Sequence, residues 1–270
     1  MHSLKGEGTL PDIVKHNAMA DRVLENLDEE IAGSIDRKIF HFSVMGPDPY
    51  IYYRFYALPL RHGISRRADI MHAQRTQEFL MELAQRSESR EMFSFLAGFL
   101  CHFALDSTTH PFINAQAQDR DDMHAAIERR LDVMELKRQG RQPREIMKLF
   151  MPFPDLPEVR EAMKKVYGWD DRYYRISCRH MRWFHFIAKD QHGLLERLLR
   201  RMPGKLASAS YRTHMADGLD LAPFDALEEE AVRLGTALVT EAWKFRAGET
   251  DAGSLRERIG TKTYHGREWA

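Results

Sequence analysis

The hydrophobic pattern of this chain is helical along nearly its whole length. After Pro11, which suits the first position of a helix, Ile13, His16, Ala20, Leu24, Leu27 and Ile31 recur at three- and four-residue intervals, so His16 lies on the inward stripe. A second amphipathic stretch, 66–85, follows Ser65 as its cap and carries the inner stripe Ala68, His72, Phe79 and Leu83. His62 falls in the loop before it. Between these two stretches, 37–63 loses the helical period. There Gly46, Pro47 and Pro49 around Asp48 predict an irregular, aromatic-rich loop that presents one carboxylate. From Met92 to Leu105 the chain is apolar nearly all round, the pattern of a helix buried at the centre of a domain. Ser87 or Ser89 caps that helix, and Pro111 is expected to end it.

Beyond a polar loop, 114–120, a helix begins near Asp119 or Asp121. It sets His124, Glu128 and Asp132 in one row beside Ile127 and Leu131. Further helices are expected over 143–150, 156–167, 170–190, 194–201 and 224–246, with 203–223 as the longest loop between them. Tyr173, Tyr174, Trp183, Phe184 and Phe186 are expected in the core, and His180, His185 and His192 at the solvent face of a basic segment. Residues 1–10 and 247–270 read as loosely packed tails. With no repeat and no dividing linker, the expectation is one all-α domain over 1–270, a multi-helix bundle with its chemistry in 11–137.

Composition narrows the function classes. The chain has 270 residues, enough for a full core, and its 40 Lys plus Arg balance its 40 Asp plus Glu. That balance provides no long-range attraction for nucleic acid or an anionic membrane. Two cysteines, Cys101 and Cys178, exclude a disulfide scaffold and a Cys-rich zinc module. The N-terminus shows no apolar signal core, and no apolar run reaches the roughly 20 residues of a membrane span. A soluble cytoplasmic protein is expected.

Thirteen histidines are many for this length, and most lie in the first half. His102 and Asp106 stand four residues apart in the apolar helix, with His110 four further on, so all three share one face. A buried carboxylate without a partner costs several kcal/mol. A cation among these side chains removes that cost, whereas a plain His–Asp hydrogen bond ordering the core is the structural alternative. Taken together, His16, Asp48, His72, His102, Asp106, His110, His124 and Glu128 sit on inner faces or in a constrained loop. Nitrogen and carboxylate donors without thiolates suit Zn²⁺, with Fe²⁺ or Mn²⁺ as substitutes. The set holds more donors than one tetrahedral ion takes, so two or three ions are expected. Closely spaced ions serve phosphoester chemistry, with a metal-bound hydroxide attacking while the other ions clamp the phosphate oxygens.

The same residues carry a family resemblance. His16 on the first helix, Gly46-Pro-Asp-Pro49, Met71-His72 followed by Thr76 and Phe79, Cys101-His-Phe-Ala-Leu-Asp-Ser-Thr-Thr-His-Pro111, and His124 with Glu128 resemble bacterial zinc-dependent phospholipase C. The signal-less intracellular relatives are closer, and fungal single-strand nucleases share the fold. The resemblance spans roughly 12–136. It implies that Asp48, His72, His102 and Asp106 hold one zinc, that Asp106 bridges to a second ion at His16, and that His110, His124 and Glu128 hold a third. It also implies a small phosphoester or lipid headgroup as substrate. Two departures stand out. The secreted enzymes bind metal through a processed N-terminal tryptophan, which this sequence does not show. In them the histidine lies fourteen residues after the aspartate, the place of His62 here; the intracellular relatives match His72, and His72 is the expected ligand.

Other metal and hydrolase classes lack their marks. There is no adjacent His-Asp doublet, no Glu-x-x-His, no His-Glu-x-x-His, no P-loop and no Gly-x-Ser-x-Gly. Two readings stand. One is a metal-dependent phosphoester hydrolase with Asp48 as candidate base. The other is a metal-binding helical protein without turnover. Tyr50, Tyr52, Tyr53 and Phe55 beside Asp48 either line a substrate pocket or fill the core.

Overall fold

The computed structural model describes residues 13–56, 63–118, 120–141, 154–188 and 216–268. These form an all-α fold; among them no strand forms, only an isolated antiparallel bridge between Lys262 and Glu268. His62, His192 and the helices expected over 143–150 and 194–201 lie outside the described residues. The helices are α1 (Ile13–Asn26), α2 (Glu29–Ser34), α3 (Arg37–Ser43), a 3-10 turn (Asp48–Tyr52), α4 (Arg66–Ala73), α5 (Thr76–Ala84), α6 (Arg90–Ala117), α7 (Asp121–Arg138), α8 (Pro157–Tyr167), α9 (Arg172–Ala188), α10 (Pro223–Ala247) and α11 (Ala252–Ile259).

Helix α6 is the axle. Ser89 accepts a hydrogen bond from the Met92 N–H at 3.1 Å, which satisfies one of the free donors of the first turn. Every residue from Met92 to Ser107 is buried, and α6 packs most extensively against α10 and α3. Phe93, Phe95, Phe99 and Phe103 are fully buried, each stabilising the fold by about 1.5–3 kcal/mol. Contrary to expectation, Pro111 does not end the helix, which runs on to Ala117. Proline removes one N–H and clashes one turn back, at a cost of about 3 kcal/mol. Here Gly266 fills the notch: a Cβ on it would collide with the Ser107 carbonyl and the Pro111 ring, and its φ of +67° favours glycine.

Other local departures have equally specific causes. Residues 37–43 form helix α3 rather than loop, because Asp36 caps the Lys38 and Ile39 N–H groups at 2.9 and 3.1 Å. The stretch 66–85 is two helices, broken where Gln74 is extended and Arg75 is left-handed at φ 56°. Ser65 makes no capping bond. Tyr50, Tyr52, Tyr53 and Phe55 are buried against the aromatic face of α9, so they are core. Tyr174 and Phe184 are buried as expected, but Trp183 is 46% exposed. His180 is half-buried, not at the solvent face: its Nδ1 accepts the Arg54 N–H at 3.0 Å.

The C-terminal segment also differs from the loose tail expected. Asp251 caps α11 through the Ser254 N–H at 2.8 Å, and Leu255 and Ile259 are buried. Beyond α11, the Tyr264 N–H donates to the His72 carbonyl at 3.1 Å. That carbonyl lies in the last turn of α4, where helical acceptors lack partners. No helix among the described residues is long and apolar enough to cross a membrane.

Candidate metal centre

The eight candidate ligands meet in one buried cluster. Helix α1 brings His16; the 3-10 turn brings Asp48; α4 brings His72; α6 brings His102, Asp106 and His110; α7 brings His124 and Glu128. The four-residue spacing on α6 stacks three of them along one face, as read from the sequence. Gly46 has a steric reason to precede Asp48: its φ is +50°, and a Cβ there would overlap the His102 ring. Its carbonyl accepts the Tyr174 hydroxyl at 2.6 Å, which fixes the loop.

The hydrogen bonds orient the imidazoles. His102 Nδ1 lies 2.9 Å from the Val44 carbonyl, and His72 Nδ1 lies 2.8 Å from the Ala68 carbonyl. A carbonyl only accepts, so both Nδ1 atoms carry the proton and both Nε2 atoms point inward. His124 Nδ1 is held by Asn114 Oδ1 at 2.8 Å in the same manner. Inward, His72 Nε2 faces Asp48 Oδ1 and Asp106 Oδ2, both at 3.2 Å. His102 Nε2 lies 3.1 Å from Asp106 Oδ2 and 4.0 Å from Asp48 Oδ2. His16 and His110 approach Asp106 Oδ1 at 3.3 and 3.6 Å. Glu128 Oε1 receives His124 at 2.8 Å and His110 at 3.5 Å.

With Nδ1 protonated, Nε2 presents a lone pair to an anionic oxygen. That contact repels unless a positive charge lies between, either a second proton on the ring or a metal ion. Despite its short approach to Asp106, His102 Nε2 makes no hydrogen bond of acceptable geometry; His16 Nδ1, His110 Nδ1 and Glu128 Oε2 are likewise buried without a partner. Such orphaned donors and acceptors fit a bound ion better than a closed hydrogen-bond network. Three groups have ligand atoms all within 4.8 Å of one another: His16, His102 and Asp106; Asp48, His72 and His102; His110, His124 and Glu128. Each could hold an ion, and the nitrogen–carboxylate chemistry suits zinc.

The electrostatics run the same way. Burial alone would lower the His72 pKa, but Asp106 and Asp48 outweigh it and raise it well above the ordinary imidazole value. For His16 burial is likewise outweighed, by Asp106 first and then by Asp48 and Glu128. Burial would raise the Asp106 pKa, yet His102, His110 and His16 hold it well below the usual carboxylate range. Glu128 is lowered to about 2 by His124 and His110 against the same burial.

The sequence reading missed two neighbours of the cluster, Tyr264 and His265. The Tyr264 ring packs on His72 and His102, with centroids at 5.2 and 5.4 Å. The His265 ring lies over His72 and His110, at 5.8 and 5.6 Å. Burial, with His110 and His72 adding to it, lowers the His265 pKa to about 3. The one sequence signal was a Tyr-His-Gly in an otherwise polar tail.

No curated protein and no solved structure matches this chain. A family model does. The model for zinc dependent phospholipase C matches residues 15–179, more than half of the 270 residues and every candidate ligand. With the matched segment, the all-α fold and the buried histidine–carboxylate cluster in agreement, the chain belongs to the zinc dependent phospholipase C family.

Proposed function

We propose that this protein is a metal-dependent phosphoester hydrolase whose ions are held by His16, Asp48, His72, His102, Asp106, His110, His124 and Glu128. The observation that carries this reading is the meeting of carbonyl-oriented imidazoles with buried carboxylates. Proton-bearing Nδ1 atoms leave Nε2 as the donor toward a cation, the arrangement found around ligating histidines. The three groups would hold two or three zinc ions, and Asp106, with one oxygen facing His16 and His110 and the other His72 and His102, would serve more than one of them. Bound divalent ions in such a site lower the pKa of water and neutralise phosphoryl charge.

The chain's own residues supply the rest. Asp48 Oδ2 is the less engaged of its two oxygens, 4.0 Å from His102 Nε2, and is the atom we assign to accept a proton from the attacking water. Val44, Ala68 and Asn114 hold the imidazoles in place, so the donors need no reorganisation when a phosphoryl group arrives. The substrate class is a phosphodiester or phosphomonoester, with a lipid headgroup as the choice that the family name favours.

The test begins with elemental analysis of untagged protein, expected to find two or more zinc ions per chain. The loaded protein is then screened against p-nitrophenyl phosphate, bis-p-nitrophenyl phosphate, p-nitrophenyl phosphorylcholine and single-stranded DNA. Turnover of at least one, abolished in Asp106→Asn, is the expected result. Full metal occupancy with no turnover of any would instead support a metal-binding protein without catalysis.

A further inference from the structure

The family match stops at residue 179, so it does not account for the C-terminal segment that packs on the candidate ligands. That segment is fixed from several sides. The Gln77 side chain donates to the Gly260 carbonyl at 2.7 Å and to the Arg256 carbonyl at 3.0 Å. The Thr263 N–H donates to the Arg267 carbonyl at 2.9 Å, closing a tight turn, and the Tyr264 N–H holds the carbonyl of His72 itself. Gly266 occupies the Pro111 notch, which no larger residue could enter without displacing the helix.

These contacts place His265 over two rings that belong to different candidate ion groups, His72 beside Asp48 and His110 beside Glu128. A phosphoryl group that spanned those two groups would come close to both rings. His265 Nδ1 is buried there without a hydrogen-bond partner, and a buried nitrogen left unpaired is unfavourable unless something fills the role. His265 belongs to none of the three groups whose ligand atoms lie within 4.8 Å of one another.

We propose that His265 is a substrate-contacting residue, hydrogen-bonding through a ring nitrogen to an oxygen of the phosphoryl group held at the site, with Tyr264 as the residue that positions it. This rests on the phosphoester reading above. A hydrogen bond to a charged phosphoryl oxygen changes affinity by about tenfold or more.

The experiment uses full-length, metal-loaded protein freed of excess ion, with inorganic phosphate as probe, read by calorimetry, alongside turnover of the best substrate from the screen. His265→Phe keeps a flat ring over His72 and His110 but removes the ring nitrogens; His265→Asn restores a donor near the Nδ1 position. The expected result is full metal content in both variants, phosphate affinity and kcat/KM about tenfold lower in His265→Phe, and partial recovery in His265→Asn. Wild-type phosphate affinity in His265→Phe overturns the inference while leaving the hydrolase reading intact. Loss of metal in either variant also overturns it, because His265 would then serve the ions or the fold. Metal-loaded wild type that neither binds phosphate nor turns over any substrate defeats the phosphoester reading, and the inference with it. If His265→Phe folds poorly by melting temperature, addition of imidazole to His265→Ala replaces it, and failure of imidazole to restore phosphate affinity counts against the proposal.

Discussion

Two buried acidic clusters lie on neighbouring residues of α1, and they balance their charge in different ways. The first is built on Lys15. Its ammonium meets Glu228 at 2.9 Å and Glu135 at 3.0 Å, while Asp132 caps the start of α1 by accepting the Val14 and Lys15 N–H groups at 2.8 and 3.0 Å. That cluster is centred on a lysine ammonium and ties α1, α7 and α10 together. The second, one residue along, sets Asp48, Asp106 and Glu128 against histidines, whose charge depends on bound protons. A lysine paired with carboxylates makes a structural joint; imidazoles facing carboxylates make a site that can exchange protons for metal. Composition alone does not separate the two, since Asp132 continues the very row of His124 and Glu128. What separates them is which side chain faces the carboxylate.

The largest expected effect breaks the first cluster and spares the second. Lys15→Met leaves Glu228 buried without its cation and takes from the half-buried Glu135 the nearer of its two, at a cost of about 3–5 kcal/mol, a large part of a typical domain's stability. Urea unfolding should show that loss, while the molecules that remain folded keep wild-type zinc content. Asp106→Ala should do the converse and lose metal. Because Asp106 faces histidines of all three candidate groups and Glu128 those of only one, Asp106→Ala should retain less metal than Glu128→Ala. Equal retention in the two would count against a bridging Asp106.

A smaller effect sharpens the contrast through pH. In the metal-free protein His16 and His72 hold protons more tightly than in the unfolded chain. Their contribution to stability is therefore full below the unfolded imidazole pKa of about 6.5 and is lost as pH rises through the folded values. Metal binding has the opposite slope, because each ion must displace those protons, and the work falls as pH rises. The stability gap between zinc-loaded and zinc-free protein should thus widen as pH rises toward the raised folded values of His16 and His72, by up to about 1.4 kcal/mol per pH unit for each proton displaced, and level off above them. Thermal melts with and without chelator at several pH values measure it. A gap that stays constant with pH would mean that these imidazoles carry no proton for metal to displace.

How far the sequence reached follows from the range of the interactions. The candidate ligands on α1, α4, α6 and α7 stood out because a four-residue repeat is local, and a polar residue on an apolar stripe is conspicuous. The break at Gln74–Arg75 was not, since the inner stripe runs through it without interruption. Pro111 was misread because a proline inside a helical pattern reads as a stop, and the residue packed into its notch, Gly266, is more than 150 residues away in the chain. For the same reason the segment around Tyr264 looked like a tail: its hydrogen bond to His72 and its seat on α6 are tertiary facts, invisible to periodicity. Trp183 sits in an aromatic run but on the outer side of α9, where propensity carries no information about depth.

The smallest effect concerns a residue that touches no candidate ion position. Asn114 lies in the extension of α6 beyond Pro111, and its Oδ1 accepts from His124 Nδ1, so the longer helix supplies the brace for one imidazole. Removing such a brace costs about 10- to 100-fold in metal affinity. Asn114→Ala should therefore weaken one ion only, that of His110, His124 and Glu128, and leave the others in place. Stepwise titration with a chelator should show one zinc leaving earlier than in wild type, with the remainder departing at the original concentration. Loss of all ions together would show that the groups are not independent, and no change would show that Glu128 alone holds the His124 ring in place.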